Sequence, residues 1–449
     1  MSQAKSPTIV TIRLTSTTRW LLLLPAICGL LISWFAIRWY VGNTLAEYAP
    51  TVENGGVDMA RVAARWAPDD PFTHWRLASL QEKIFSAANV ADAAREYQLA
   101  VSRSPYDYRY WMELGRALEA TGDVAGGEKA LKKAVDLAPA YSHPRWYYGN
   151  LLLREGKQDE AFAQLALAAK SDDLMRTPVF SLAWQVFDGD ADKIAAAACP
   201  FIPVRMQFAI YLVGLSKIEE AMRVWRTITP ADRKTEIALG EGFKTALMQT
   251  RHFRPLLEVT QATEPTADGP VPEKIWNGDF ERDIQPTSAK DFYWIINSRP
   301  AARIGSDPVA HSGKGSLGIL FKSTGKLDTV GVAQTIVVTP DTHYHFEGYL
   351  RTEDLTSGGM PVISILDATN EAVLVKSPPA PSGSNDWQKI TLDFKTAKSD
   401  GIIVRVTREP CAEQEQVCPL FGTIWYDDFS LKRVGSSGAA RGSGTSGKL

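Results

Sequence analysis

The chain has 449 residues, a formal net charge of −2 and a charged fraction of 22%. One hydrophobic core rarely extends over so many residues, so we expect two or three domains. The composition is that of ordinary globular domains, and a nearly neutral chain has no polybasic surface, which argues against nucleic acid as a partner.

A run without charge, LLLLPAICGLLISWFAI, spans residues 21–37 and is flanked by aromatic residues that are typical of a membrane interface, namely Trp20, Trp39 and Tyr40. Extended by these residues, the run approaches the roughly 20 residues that a helix needs to cross the hydrocarbon core. The sequence therefore predicts a transmembrane signal-anchor helix over residues 20–41.

The charges around this run predict its orientation. Three basic residues precede it, Lys5, Arg13 and Arg19, whereas acidic residues soon follow it. The positive-inside rule then places residues 1–19 in the cytoplasm and the bulk of a single-pass inner-membrane protein in the periplasm or outside the cell. The alternative is a signal peptide cleaved near Ala46, which would export the same part of the chain.

Residues 60–264 are helical in pattern, with apolar and small residues at three- and four-residue intervals. Pairs of equivalent residues recur 34 positions apart: Gly115 and Gly149, Gly122 and Gly156, Pro105 and Pro139. A period of 34 residues is that of a tetratricopeptide solenoid, in which each repeat is a pair of helices.

The residues support a family resemblance. WMELGRALEATGDVAGGEKALKKAVDLAP (111–139) resembles a tetratricopeptide repeat, 146–172 is similar, and 80–105 is a looser unit. Degenerate units are expected at 208–230 and 238–259. The resemblance implies a solenoid whose concave face takes a protein or peptide partner. Four aromatic residues could line that face, but we favour packing between repeats for them: Trp111, Trp146, Tyr147 and Tyr148.

After a linker at 265–274, the pattern changes from helical to alternating, as expected for strands. Short strand-like segments continue through residues 275–434 and predict a two-sheet jelly roll. They are 316–322, 331–338, 344–352, 361–367, 388–395, 402–408 and 424–432. Residues 435–449 form a Gly/Ser-rich tail that we expect to be disordered. The predicted fold class is thus a multidomain α plus all-β chain.

Motifs in this region occur in the order seen in galactose-binding-like jelly rolls: NGDFE (277–281), HSGKGSL (311–317), DWQKITLDF (386–394) and IWYDDFSL (424–431). The region is most similar to carbohydrate-binding modules of families four and nine. The opening NGDFE and the closing YDDFSL carry most of the specificity. The resemblance implies glycan binding, without itself identifying the ligand.

The resemblance also implies a structural calcium ion where the first and last segments of the domain meet. Carboxylate and carbonyl oxygens are the ligands that calcium prefers. The expected ligands are Glu281, the Lys314 carbonyl, and Asp427 or Asp428, with Asp279 as a further candidate. The alternative is a solvated carboxylate cluster that caps turns.

Alternation along residues 344–352 predicts that Glu347, Tyr349 and Arg351 face away from the core. An aromatic ring can stack on the apolar face of a sugar while polar groups bind its hydroxyls. These three residues, with Arg405, are therefore the candidate carbohydrate contacts, the alternative being an ordinary exposed sheet face. Three tryptophans at structural positions of the family pattern are expected in the core: Trp294, Trp387 and Trp425.

Cys411 and Cys418 are close in sequence, and an oxidising compartment would join them in a disulfide that closes a small loop. The alternative is two reduced thiols. His343 and His345 could face the same side of a strand, but a third metal ligand is not evident, so we interpret them as surface histidines.

These features predict a membrane-anchored scaffold with protein-binding repeats and a glycan-binding module, in bacterial envelope or exopolysaccharide assembly. The alternative is a structural assembly factor that binds no sugar. An enzyme is not expected, since glycoside hydrolysis needs two carboxylates across a cleft and the sequence offers no recognisable pair.

Overall fold

The computed structural model describes residue 20 and residues 23–284, 290–297, 300–323, 329–411 and 418–434. The chain divides into two compact units, residues 1–204 and residues 205–449. An apolar N-terminal helix precedes a helical solenoid, and a two-sheet β-sandwich follows, so the predicted fold class is confirmed. The predicted cytoplasmic segment 1–19 and tail 435–449 lie outside the described residues.

The described part of the first unit contains helices and no strands. Its helices are α1 (Leu23–Glu47), α2 (Gly56–Trp66), α3 (Pro71–Glu82), α4 (Ala87–Arg103), α5 (Tyr108–Ala120), α6 (Val124–Leu137), α7 (Ser142–Arg154), α8 (Gln158–Ser171), α9 (Arg176–Val186) and α10 (Ala191–Ala197).

Helix α1 is long and apolar enough to cross a membrane, with 25 residues and a mean hydropathy of 1.5 over its most apolar window. No residue of that window is buried within the protein. The helix continues beyond the apolar run, and its last part packs on the repeats, where Gly42 and Ala46 are buried.

The 34-residue period appears directly in the helices. The pair α5/α6 recurs 34 residues later as the pair α7/α8. Gly115 and Gly149 let each pair close, because a Cβ on Gly115 would lie 2.6 Å from the Leu131 side chain. Gly122 turns the chain between α5 and α6 with a φ of +89°, a conformation that favours glycine.

Three of the four aromatic residues that we assigned to packing, all but Trp146, belong to clusters within the repeats. Tyr148 is buried, while Trp111 and Tyr147 are partly buried against the same clusters. Trp111 also donates a hydrogen bond from its indole N–H to the Pro105 carbonyl. The rings of Trp111, Tyr147 and Tyr148 therefore contribute to packing between helices.

Helix α11 (Ile202–Gly214) contains the division between the units, and four helices follow it: α12 (Ile218–Arg226), α13 (Pro230–Thr235), α14 (Ile237–Gln249) and α15 (Phe253–Thr263). The pairs α11/α12 and α14/α15 occupy the two degenerate repeats that the sequence predicted.

The sandwich contains β1 (Ile295–Ile296), β2 (Ala302–Asp307), β3 (Ser316–Ser323), β4 (Thr329–Val337), β5 (His343–Ser357), β6 (Pro361–Asp367), β7 (Val373–Lys376), β8 (Gly383–Lys395), β9 (Gly401–Arg408) and β10 (Leu420–Arg433). One antiparallel sheet has the order β1-β4-β9-β6-β7 and the other β2-β3-β10-β5-β8. Strands β1, β2 and β7 are short or weakly patterned, and the sequence did not predict them.

The sandwich core lies between the two sheets. It contains the inward residues of β5, Tyr344, Phe346 and Leu350, together with Phe280 and Phe429 from the opening and closing motifs. Gly348 belongs to the same inward row, and a Cβ there would lie 2.5 Å from the Phe429 ring. The alternation predicted for β5 is therefore confirmed, and it directs the intervening side chains outward.

The last helix of the second unit is fastened to the sandwich. Asp400, just before β9, accepts hydrogen bonds from the backbone N–H groups of Phe253 (3.1 Å) and Arg254 (2.8 Å). Arg254 in turn donates to the Val338 carbonyl at 3.1 Å. A Cβ on Gly401 would lie 2.4 Å from the Phe253 ring, so helix and sheet edge are in close contact.

Candidate functional site

Three of the predicted carbohydrate contacts lie together on the outer face of strand β5. Glu347, Tyr349 and Arg351 are half-buried and alternate with fully buried neighbours. Strand β5 lies between the central strand β10 and the edge strand β8, so its outward side chains stand one strand in from the edge of the sheet face.

The loop between β2 and β3 adds a histidine to this face. The His311 ring stacks on Tyr349 with ring centroids 3.7 Å apart and an interplanar angle of 15°. The Trp387 ring, from β8, forms a T-shaped contact with the same imidazole, with ring centroids 5.6 Å apart and an interplanar angle of 66°. We call His311, Tyr349 and Trp387 the aromatic group.

Two adjacent carboxylates hold the histidine in place. Asp427 accepts the backbone N–H of His311 at 2.8 Å, and Asp428 accepts a hydrogen bond from His311 Nδ1 at 2.7 Å. Ser312 donates its hydroxyl to Asp428 as well, at 2.9 Å. The closing motif YDDFSL therefore positions a ring that belongs to a distant loop.

The prediction that all three tryptophans belong to the core is wrong for Trp387, which is partly exposed beside His311. Trp294 is buried in the core as predicted. Trp425 is also buried, but it points to the outer side of its sheet, where the Arg351 guanidinium lies 5.7 Å from its ring centroid. Trp387 lies within a bulge of the β5–β8 pairing, which the alternation pattern could not locate.

Charged groups flank the aromatic group. Lys389, opposite Tyr349 in the β5–β8 register, pairs with Glu347 at 2.9 Å. The hydrogen bond from Lys389 lowers the pKa of Glu347 below its ordinary value. A paired carboxylate and ammonium therefore stand beside the rings as fixed acceptor and donor.

Arg405, the fourth predicted contact, lies apart from the other three. It stands on β9, in the other sheet, and pairs with Glu371 at 2.8 Å. The sequence analysis grouped Arg405 with the β5 residues but could not tell to which sheet its strand belongs.

The carboxylates predicted to bind calcium accept hydrogen bonds from the loop before β3. Glu281 Oε1 accepts the backbone N–H groups of Lys314 (2.6 Å) and Gly315 (3.1 Å). Asp427 is fully buried and accepts three backbone N–H groups, from His311, Ser312 and Asp428. Burial raises the pKa of Asp427, although these N–H donors act in the opposite direction.

Hydrogen bonds in this region already use part of the oxygen set that was expected to bind a shared calcium ion. Within the described ranges, no three His, Cys, Asp or Glu side chains group closely enough to hold a metal. N–H donors already point at Oε1 of Glu281 and at both oxygens of Asp427, which reduces the number of lone pairs that a cation could use there. Asp279 is exposed beside a polar recess with Trp276 and Arg282. The arrangement is that of carboxylates capping a loop.

Cys411 and Cys418 are joined in a disulfide, with their Cα atoms 6.2 Å apart. The buried Arg408 guanidinium lies against both sulfurs and donates to the Gly359 carbonyl at 3.0 Å. The disulfide and Arg408 together fasten the ends of the segment between β9 and β10.

A recess of about 340 Å³ opens between helices of the first repeats. Its lining includes Trp75, the widely exposed Phe85, and an ionic group in which Arg116 contacts both Glu82 and Glu113. Burial raises the pKa of Glu113. Tyr97 donates its hydroxyl to Glu82 at 3.1 Å. The recess therefore combines aromatic surface with fixed polar groups.

Two residues of the aromatic group were not predicted as contacts. His311 opens the HSGKGSL motif and Trp387 lies in DWQKITLDF, and both motifs were noticed for the fold alone. Both reach the β5 face through loops or bulges, and the twofold periodicity of a strand carries no information about such residues.

Comparison with solved structures gives similarities to parts of the chain. A structure of MamA is 15% identical, covers 38% of this chain and 84% of its own, and has a TM-score of 0.26. A thermophilic TPR protein of Thermus thermophilus, TTC0263, is 16% identical and covers 48% of this chain and 99% of its own, with a TM-score of 0.26. A structure titled "CBM4 structure and function" is 16% identical and covers 36% of this chain and 99% of its own, with a TM-score of 0.28.

No family model matches the sequence, and no curated protein matches it.

Proposed function

We propose that the chain is a membrane-anchored scaffold whose repeats bind a protein partner and whose sandwich binds a glycan, without catalysis, in the assembly of a bacterial envelope or exported polysaccharide. The observation that carries the glycan part is the aromatic group on the β5 face. Rings of His311, Tyr349 and Trp387 lie beside the Glu347–Lys389 pair. Such a site offers ring surface to the C–H face of a sugar and charged hydrogen-bonding groups to its hydroxyls.

The membrane part is supported by the length and apolar surface of α1, whose apolar half is exposed. A row of exposed aromatic and aliphatic side chains in a soluble helix would be costly in water, whereas lipid solvates it. The proposed location is the inner membrane, with residues after the span in the periplasm.

The protein-binding part is supported by the recess of the first repeats. Phe85 has 89% of its surface exposed at the edge of that recess, next to the ionic group around Arg116. An exposed aromatic beside fixed charges is typical of surfaces that bind peptides.

The experiment for the glycan site uses the full chain in a detergent without a sugar headgroup, applied to an array of bacterial polysaccharides. We expect one polysaccharide class to bind, and Tyr349→Ala and Trp387→Ala to weaken binding about tenfold or more, which corresponds to about 1.4 kcal/mol. Phe421→Ala is the matched control, since Phe421 is an exposed aromatic at the far end of β10 in the same sheet. Uniform absence of binding by the unaltered chain would refute the glycan part.

The alternative is an assembly factor in which the sandwich only packs against protein. The hydrogen bonds from the start of α15 to Asp400 favour this alternative, because part of the sandwich edge already packs against a helix. A stable complex with a protein partner that is unchanged by Tyr349→Ala, combined with no glycan binding, would support this alternative.

A further inference from the structure

Helix α1 is continuous, but its side chains are exposed in its first part and packed against the repeats in its last part. From Leu23 to Ile37 its side chains are exposed, whereas Gly42 and Ala46 are buried against the repeats. The apolar segment and the first helix that packs on the repeats are thus one continuous helix.

The packed half of α1 runs antiparallel to α2 at close range. A Cβ on Gly42 would lie 2.5 Å from the Ala67 Cβ and 2.9 Å from the Ala67 backbone nitrogen, so only glycine fits there. Asn43 donates from its side-chain amide to Asp70 at 2.9 Å. The joint between the apolar segment and the repeats is therefore packed and contains no linker.

The end of α2 that lies nearest the apolar segment is held by Arg38. Its guanidinium donates to the carbonyls of Trp66 at 3.1 Å and Arg65 at 3.3 Å, the last residues of α2. A cation at the carboxyl end of a helix satisfies free carbonyls and offsets the helix dipole. Arg38 therefore uses its guanidinium to bind α2, so other side chains must contact whatever surrounds α1 at the depth of Arg38.

The length of α1 determines the depth of Arg38 in a bilayer. At 1.5 Å per residue, about 20 residues counted from Trp20 cross a hydrocarbon core of about 30 Å and reach Trp39 and Tyr40. Arg38 lies one residue before that boundary, and it contacts Trp66 directly. The last turn of α2 therefore lies at the depth where hydrocarbon gives way to headgroups.

We infer that the last turn of α2 rests in the headgroup layer of the bilayer that α1 crosses, with Trp66 and Arg65 as its lipid contacts. Trp66 is 40% exposed and Arg65 is exposed. An indole at this depth has an apolar body and a polar N–H, and a guanidinium binds lipid phosphate in two-point geometry. The partner is thus a lipid surface.

This inference rests on the proposed membrane span and adds a second attachment to it. A span alone allows the repeats to rotate away from the bilayer, whereas a helix end seated among headgroups, together with the packed joint at Gly42, holds the first repeat at one depth and orientation.

The test places a spin label on the full chain in vesicles of phosphatidylethanolamine and phosphatidylglycerol. Arg65→Cys is labelled in a Cys28→Ser background, and Asp58→Cys is the matched control. Asp58 is exposed at the other end of α2, seven residues or about 10 Å farther from the membrane. Flotation of the vesicles first establishes that each variant is inserted.

We expect a water-soluble nickel chelate to collide with the label at position 65 at least about threefold less often than with the label at position 58, because headgroups exclude the chelate. Equal collision rates at both positions in floating vesicles would overturn the inference while leaving the span intact. A protein that stays at the bottom of the gradient would overturn the span and this inference together.

Discussion

The hydrogen bonds between Asp400 and the start of helix α15, which we call the helix clamp, offer the sharpest test of how the sandwich is joined to its helices. The Asp400 carboxylate accepts the N–H groups of Phe253 and Arg254, the first two residues of α15. These donors have no partner within the helix itself, because the first turn of any helix leaves its N–H groups free. A residue more than a hundred positions away in sequence thus serves as the helix cap.

Asp400→Ala removes both acceptors and the negative charge. Loss of a capping side chain costs about 1 kcal/mol, and loss of a charge at a helix N-terminus costs about 0.5 kcal/mol. Because two N–H groups lose their acceptor at once, we expect about 2 kcal/mol in the free energy of local opening of α15. That energy corresponds to about thirtyfold faster exchange of its amide hydrogens.

Hydrogen exchange measured by mass spectrometry on the full chain resolves this effect, because peptides from α15 and from α7 are read in one experiment. We expect faster exchange in α15 and no change in α7. Lys398→Ala is the control, since Lys398 is exposed in the same loop. Unchanged exchange in α15 would refute the assignment of Asp400 as its cap.

Three further predictions concern other parts of the chain. Gly115→Ala should destabilise the repeats by about 1–3 kcal/mol in denaturant unfolding, whereas Gly240→Ala, whose Cβ would meet its nearest atom at 4.0 Å, should not. Burial acts to lower the pKa of His74, but its hydrogen bonds to Glu96 and the Pro68 carbonyl, together with the Glu96 charge, outweigh burial and raise the pKa. The free energy of unfolding of the repeats should therefore fall as pH rises above about 6.5. His74→Gln should flatten that pH dependence. Calcium and EDTA should give the same melting temperature for the sandwich, since three N–H groups already occupy Asp427, and a rise with calcium would contradict this interpretation.

The repeats could be predicted from the sequence because their information is local. The glycines at 115 and 149 and the turn at Gly122 recur at a fixed interval, and each acts on a neighbour one helix away. The outward and inward residues of β5 could be predicted equally well, since a strand with one buried face alternates with period two.

The candidate site could be predicted only in part, because its geometry depends on contacts between distant segments. His311 reaches Tyr349 through hydrogen bonds to Asp427 and Asp428, more than a hundred residues away. Arg405 failed to join the group because strand order, which assigns β9 to the opposite sheet, is not encoded in alternation. The local sequence of a strand predicts which side chains point inward or outward, whereas it does not predict which strands are neighbours in a sheet.

The position of the helix clamp bears on the choice between a glycan-binding module and a purely structural one. Helix α15 contacts the sandwich through Val338, Asp400 and Gly401, all at one end of the sheet that also carries Arg405. The aromatic group lies on the outer face of the other sheet, where His311 is exposed and Tyr349 half-buried. The contacts of α15 and the aromatic group therefore occupy different sheets, so the helix contact and the proposed glycan site can exist in the same sandwich without competing for surface.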